Sequence, residues 1–205
     1  MKIIYYAKKA VNKYSPYMWT MINKISFAMN GIRYGKNLSV RGKVYTIFHS
    51  DKASITIGDN VTINASRISN PIGTGDGTYF QMVGEGKIII GNNCGISNAA
   101  FTCANSIILE DNVLLGSGCK IYDTDFHALQ YSERIKGNYR GAPIRTKEII
   151  IKEGAFVGAG SYILKGVTVG RHSIIGASSV LTKNVPDNEI WAGNPARFIR
   201  KVEDE

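Results

Sequence analysis

Histidine is the one side chain that titrates near neutral pH without help, and this chain has three: His49, His127 and His172. His127 stands apart by its company. It closes the run YDTDFH (residues 122–127), with Asp123 and Asp125 just before it and Glu133 shortly after. An imidazole so placed can take a proton from an attacking hydroxyl and pass it on to a leaving group. One of the two aspartates could orient the ring or hold its charge; Asp125 could equally cap a turn. On residue type alone, a surface loop histidine is the ordinary reading, and it remains the reading for His49 and for His172. The three cysteines, Cys94, Cys103 and Cys119, make no CxxC pair and no zinc spacing. They read as small core hydrophobes of a protein kept in a reducing cytoplasm, and no metal is expected.

The elements that must position these residues follow a six-residue beat. From residue 151 the chain divides into IKEGAF, VGAGSY, ILKGVT, VGRHSI, IGASSV and LTKNVP. Ile151, Val157, Ile163, Val169, Ile175 and Leu181 hold one phase, and Leu109, Leu115 and Ile121 keep it earlier in the chain. Shifted blocks carry it at Ile57 and Ile63 and at Ile90 and Ile96. A period of six fits neither an amphipathic helix nor an alternating strand. It fits a triangular solenoid, in which each hexapeptide supplies one short strand and one corner. The aliphatic residue points inward; Gly, Asn and Asp take the corners, where unusual backbone angles are needed. Glycine is abundant at 22 residues while proline is only 5, as repeated corners require and disorder does not. Residues 70–84 and 123–149 break the beat and read as insertions that project from the solenoid wall. His127 lies in the second.

The net charge of +9 is localised. Residues 1–50 hold nine Lys and Arg and no Asp or Glu, whereas the rest of the chain balances. Ile3, Ile4, Ala7, Ala10, Val11 and Tyr14 fall at helical spacing. Ser15-Pro16 then reads as an N-cap followed by proline at a first helical position, and Met18, Trp19, Ile22, Ile25 and Met29 as a second helical stripe ending at Asn30-Gly31. The expectation is two short amphipathic helices over residues 1–31, ahead of a β-helix domain over 32–201. They either pack on the body or a neighbouring subunit, or lie on a membrane surface through Lys, Trp and Tyr of residues 1–30. No apolar run approaches the roughly 20 residues that span a bilayer, and no small-residue cleavage site marks a signal peptide. The basic segment contains no base-reading module and the body is neutral, so no nucleic-acid partner is expected.

The repeats, the DTDFH segment before a long loop, and the ending GASSVLTKNVPDNEIWAGNPARFIRK resemble the hexapeptide-repeat O-acetyltransferases. The likeness covers roughly residues 35–201. It is strongest to the maltose and galactoside acetyltransferase group and to bacterial capsule and exopolysaccharide acetyltransferases. The resemblance implies an all-β fold, a left-handed parallel β-helix, working as a homotrimer with active sites between subunits. It implies acetyl-CoA as co-substrate and a sugar or polysaccharide-precursor hydroxyl as acceptor. The setting would be the cytoplasm, with the inner membrane face as a second possibility.

The same resemblance assigns residues. His127 matches the catalytic histidine, with Asp125 beside it. The functional asparagine of the sugar acetyltransferases falls on Asn98 or, one residue away, on Ser97. Glu133 resembles an acid that contacts the acceptor, and Asp123 is carried with it. Gly158, Ala159, Gly176 and Ala177 match positions where backbone meets the pantetheine arm. Thr182 and Lys183 match the TK that meets the phosphate end, and Arg200 a tail arginine near the nucleotide phosphates. Phe156 takes a place where relatives carry Trp. Arg134, Arg140 and Arg145 read as solvated loop charges, with an acidic sugar as the alternative. An N-acetyltransferase acting on an amino sugar and a non-catalytic solenoid scaffold remain the competing readings. A hexapeptide carbonic anhydrase, which needs three zinc-binding histidines with two close together, does not fit.

Overall fold

The computed structural model describes residues 2–72, 77–135 and 144–203, with residues 2–14 as helical backbone alone. The chain opens with α1 (Lys2–Met29) and then winds through six coils of three strands. The first coil is β1 (Arg33–Tyr34), β2 (Ser39–Gly42) and β3 (Val44–Phe48); the second is β4 (Ser54–Ile57), β5 (Thr62–Ala65) and β6 (Thr78–Met82). The third is β7 (Lys87–Ile90), β8 (Gly95–Ser97) and β9 (Ala100–Cys103); the fourth is β10 (Ser106–Leu109), β11 (Leu114–Leu115) and β12 (Lys120–Tyr122). A long excursion follows, with one helical turn, α2 (Tyr131–Arg134). The fifth coil is β13 (Ile149–Ile151), β14 (Phe156–Val157) and β15 (Tyr162–Leu164); the sixth is β16 (Thr168–Val169), β17 (Ile174–Ile175) and β18 (Val180–Leu181). A hairpin of β19 (Glu189–Gly193) and β20 (Ala196–Lys201) ends the fold.

Each strand of the first five coils pairs in parallel with the strand three places on, so three sheets form the faces of a prism. Face A stacks β1, β4, β7, β10, β13 and β16. Face B stacks β2, β5, β8, β11, β14 and β17, extended by β19 and β20. Face C stacks β3, β6, β9, β12, β15 and β18. This is the triangular solenoid expected from the hexapeptide beat, and it agrees with the left-handed parallel β-helix that the resemblance implied. The beat is also the core: Ile151, Val157, Ile163, Val169, Ile175 and Leu181 are all buried in one cluster with Leu109, Leu115 and Ile121. Burying each such side chain is worth about 1.5–3 kcal/mol relative to exposure.

The corners explain the polar residues. Asn37, Asn60, Asn93, Asn112, Gly154, His172 and Asn188 all take left-handed backbone angles, the conformation glycine and asparagine tolerate best. Asn37 donates to Asn60, and Asn60 to Asn93, making a ladder along the edge between faces A and B. His172 belongs to that ladder. Its ring covers Gly154, where an added Cβ would lie 2.6 Å from the imidazole.

Two expectations need correcting. The N-terminal segment is one continuous helix with Pro16 inside it, not two helices broken at Ser15-Pro16. The helix is held by the body beneath it. Asn23 donates to Gly42 O at 2.8 Å and accepts from Val44 N at 3.0 Å, while Thr20 Oγ1 both donates to Val40 O and accepts from Val40 N. Those groups lie on or beside β2, the outermost strand of its sheet, which would otherwise be an open sheet edge. Tertiary hydrogen bonds and burial of Phe27 outweigh the cost of proline. The first insertion is also shorter than 70–84, because Thr78–Met82 returns to face C as β6. The side chains of Ile3, Ile4, Ala7, Lys8, Lys9, Ala10, Val11, Lys13 and Tyr14, and all of Arg140, lie outside the described residues.

Candidate active site

The second excursion leaves the wall after β12 and returns at β13. Its neck is closed by backbone bonds: Asp125 N to Arg145 O at 3.1 Å, Lys147 N to Asp123 O at 2.9 Å, and a bridge between Thr124 and Thr146. Asp123 anchors the neck from inside. It occupies the inward column below Met82 and Cys103 and is fully buried. Its carboxylate accepts from the backbone N–H groups of Ala104, Asn105 and Ser106 at 2.7–2.8 Å. Both oxygens are thus committed to the corner of the preceding coil. The expectation that Asp123 contacts an acceptor is overturned; its work is structural.

Past the neck, Phe126 takes φ +61, a left-handed angle that is unfavourable for a bulky residue. Its ring meets Tyr122 edge-on at 5.3 Å, and its N–H donates to Thr124 Oγ1 at 3.3 Å. This turn presents His127 at an exposed position, its N–H bonded to Asp125 O at 2.7 Å. The Asp125 side chain pairs with Lys165 Nζ at 2.8 Å. Lys165 was not anticipated from sequence. The signal existed: Tyr122 stands opposite Leu164 in the β12–β15 register, so Lys165 lies beneath the root of the loop. Glu133 is half-buried on α2. Arg134 turns back onto its own loop, donating to Leu129 O at 2.9 Å, and holds the excursion's shape. Arg145 is exposed at the neck.

A second group lies along a different edge. Asn98, Gly118, Gly160 and Ser178 occupy the corner between faces B and C, all at positive φ, with Gly158, Ala159, Gly176 and Ala177 beside them. Asn98 is buried, its Nδ2 is 3.4 Å from Asn70 O, and its Oδ1 accepts from none of the described residues. Ser97 ends β8 half-buried, in register with Asn64. Gly158 is glycine for a structural reason: a Cβ would lie 2.6 Å from Ala177 N. At Gly176 it would lie 2.8 Å from Ala192 Cβ. The small residues therefore let coil approach coil, whatever else passes over them. The N–H groups of Ala159 and Ala177 donate to no acceptor among the described residues. Phe156 is outward and exposed, between Leu114 and Ile174 on face B.

Thr182 and Lys183 follow β18 and are exposed at the corner between faces C and A, the edge from which the His127 loop also departs. Arg200 lies on β20 opposite Ile190, exposed, with its guanidinium 3.1 Å from Lys201 O. Apart from Phe156 on face B and Arg200 on β20, the single chain gathers its expected site residues at two edges of the prism. His127, Asp125, Glu133, Thr182 and Lys183 belong to the C–A edge. Ser97, Asn98 and the Gly-Ala corners belong to the B–C edge. Among the described residues no three His, Cys, Asp or Glu side chains converge as a metal-binding group.

Comparison with known proteins agrees with this architecture. Residues 148–183 match the bacterial transferase hexapeptide family (six repeats). The galactoside O-acetyltransferase of Lactococcus lactis subsp. lactis is 37% identical over 98 residues, 48% of this chain and 44% of the relative. The chain spans about half the length of the curated relatives it matches. Among solved structures, a hexapeptide-repeat acetyltransferase from Vibrio cholerae O1 biovar eltor complexed with acetyl coenzyme A is 30% identical. Its TM-score is 0.52, and the match covers 57% of this chain and 61% of that one. A mutant of AntD, an N-acyltransferase from Bacillus cereus, reaches a TM-score of 0.68 at 21% identity, covering 88% and 90%; this last likeness is one of fold. The matched segment, residues 148–183, lies in the fifth and sixth coils of the β-helix.

Proposed function

We propose that this protein is an acetyl-CoA-dependent O-acetyltransferase, with a sugar hydroxyl, on a polysaccharide unit or its lipid-linked precursor, as acceptor. The observation that carries the reading is the exposed His127, held on a strained turn at the mouth of a braced loop, in a hexapeptide-repeat fold. A sugar hydroxyl is a poor nucleophile and a thioester is already activated, so the missing component is a base. His127 takes the hydroxyl proton as the oxygen attacks the acetyl carbonyl. The tetrahedral oxyanion is stabilised by backbone N–H donors of the wall. Collapse breaks the carbon–sulfur bond, and the imidazolium returns the proton to the departing thiolate. Asp125 positions the loop through Lys165, and Glu133 faces the acceptor.

The donor would lie along the Gly-Ala corners of the B–C edge. The N–H groups of Ala159 and Ala177 are free there to meet carbonyls of the pantetheine arm, and Phe156 flanks it. Thr182, Lys183 and Arg200 receive the phosphates. Because base and donor corner belong to different edges of one prism, a complete site needs two copies, with His127 of one facing the Asn98 edge of the next. A cyclic homotrimer satisfies this for every copy. The protein would work in the cytoplasm. Transfer to an amino sugar is the second reading, supported by the fold likeness to AntD.

Free-thiol release from acetyl-CoA across a panel of sugars, amino sugars and oligosaccharides tests both. Acceptor-dependent turnover that is lost in His127→Ala is the expected result, and the productive acceptor separates O- from N-transfer. Absence of any CoA binding would sink the enzyme reading and leave the solenoid a scaffold.

A further inference from the structure

The helix α1 has two different faces. Thr20, Asn23 and Phe27 dock onto the first coil. The opposite side carries Met18, Met21, Ile22, Ile25 and Met29, which are 53%, 66%, 46%, 61% and 82% exposed. At 3.6 residues per turn these five form one apolar stripe, turned directly away from the body. Ile4, Ala7, Val11 and Tyr14 occupy the register positions that continue it toward the N-terminus. The stripe is too long to be an isolated exposed hydrophobe and marks a contact surface. No described helix is long and apolar enough to cross a membrane.

The charge of the segment that carries the stripe says what covers it. Residues 1–50 carry nine Lys and Arg and no acid. A second copy of the helix would bring the same positive charge and no carboxylate to meet it, whereas an anionic surface is complementary. An apolar stripe on a helix that does not span, in a segment rich in bases and without acids, is the pattern of a helix lying in the bilayer interface. Trp19 and Arg41, beside the docked face, line a cavity of about 510 Å³ together with Ile68, itself 84% exposed, so apolar and basic groups extend past the helix at the same end.

We infer that α1 is a bivalent element: one face closes the open end of the solenoid, and the other lays that end on an anionic phospholipid surface. The outermost strand β2 faces the helix, so the coils rise away from the bilayer. The His127 loop leaves the fourth coil. At about 4.8 Å per coil, three coil steps place its root on the order of 15 Å above the first coil, on which the helix is docked. For the transfer reading, on which this last step rests, that height suits an acceptor tethered to the same membrane.

The test is flotation of the full chain with vesicles of phosphatidylglycerol and phosphatidylethanolamine, against vesicles of phosphatidylcholine alone. Binding to the anionic vesicles is expected, weakened by added salt as screening requires. Ile22→Ser/Ile25→Ser should lower partitioning at least about tenfold, while Ile89→Ser, an exposed isoleucine on face A, leaves it unchanged. Both variants should keep the wild-type unfolding midpoint, because neither set of side chains is in the core. Flotation of the double variant equal to wild type overturns the inference, as does failure of wild type to bind anionic vesicles at low salt. A wild-type assembly that the double variant breaks, without lipid binding, also overturns it and assigns the stripe to a second copy. Thiol release with a soluble acceptor should be the same in the double variant and wild type, so lipid binding and acetyl transfer fail or succeed separately.

Discussion

Two aspartates two residues apart do different work. Asp123 points inward and gives its carboxylate to three backbone N–H groups; Asp125 points outward to Lys165. On the proposed mechanism, His127→Ala removes the base alone. Its kcat should fall about 10²–10⁴-fold, with KM for acetyl-CoA nearly unchanged, as steady-state thiol release will show. Asp123→Ala instead leaves three buried donors without an acceptor. Each lost charge-assisted bond is worth about 1.5–3 kcal/mol, so urea unfolding should reveal a loss of several kcal/mol. The cysteines offer a further check. Burial pushes the thiols of Cys94 and Cys119 up to about 11 and that of Cys103 higher still, with the Asp123 charge adding to it. Native protein should therefore resist a disulfide reagent at neutral pH, and labelling should track unfolding.

At the scale of elements, each coil is tied to the next through its corner. Asp111 accepts from Asn92 N at 2.7 Å and Asp187 from Arg171 N at 2.8 Å. These bonds hold both carboxyls below their ordinary range, with Lys152 and Arg171 adding to the effect at Asp187. A carboxyl depressed in the fold contributes stability that is complete above its unfolded value, about 3.9. That stability is lost as pH falls through the lower folded value. Asp111→Asn/Asp187→Asn keeps an acceptor oxygen but removes the titration. The double variant should lose less stability than wild type as pH drops below about 4, measured as the shift of urea midpoint with pH. The N-terminal cap is a separate unit. Asn23→Ala strands Val44 N–H and Gly42 C=O. A cost of about 2 kcal/mol or more is expected, with faster hydrogen exchange at Val44 as its local signature.

For the whole molecule, the division of site residues between two prism edges has a consequence for mixtures. If the site forms between copies, His127→Ala and Asn98→Ala chains are each inactive alone. Co-refolded in equal amounts as a cyclic assembly, they should regain about one quarter of wild-type activity, since a quarter of the interfaces pair an intact histidine with an intact asparagine. Sedimentation of wild type should give three times the chain mass. No recovery on mixing would mean that each chain completes its own site.

The six-residue beat determined the prism by itself, because inward aliphatics and tight corners repeat at a spacing that few other architectures can bury. Ile151 through Leu181 needed no structure to be placed in the core, and the break at 123–149 was as plain as the beat. His127 was legible as a candidate for the same reason: chemistry was left where repetition stopped. Only the tertiary structure separated Asp123 from Asp125, since their directions depend on which column of the solenoid each enters. It also kept α1 whole across Pro16, because Thr20 and Asn23 answer groups on β2 and its neighbours about twenty residues away in sequence. Local propensity sees only the proline; the unpaired edge of the first coil, assembled by the fold, decides for the helix.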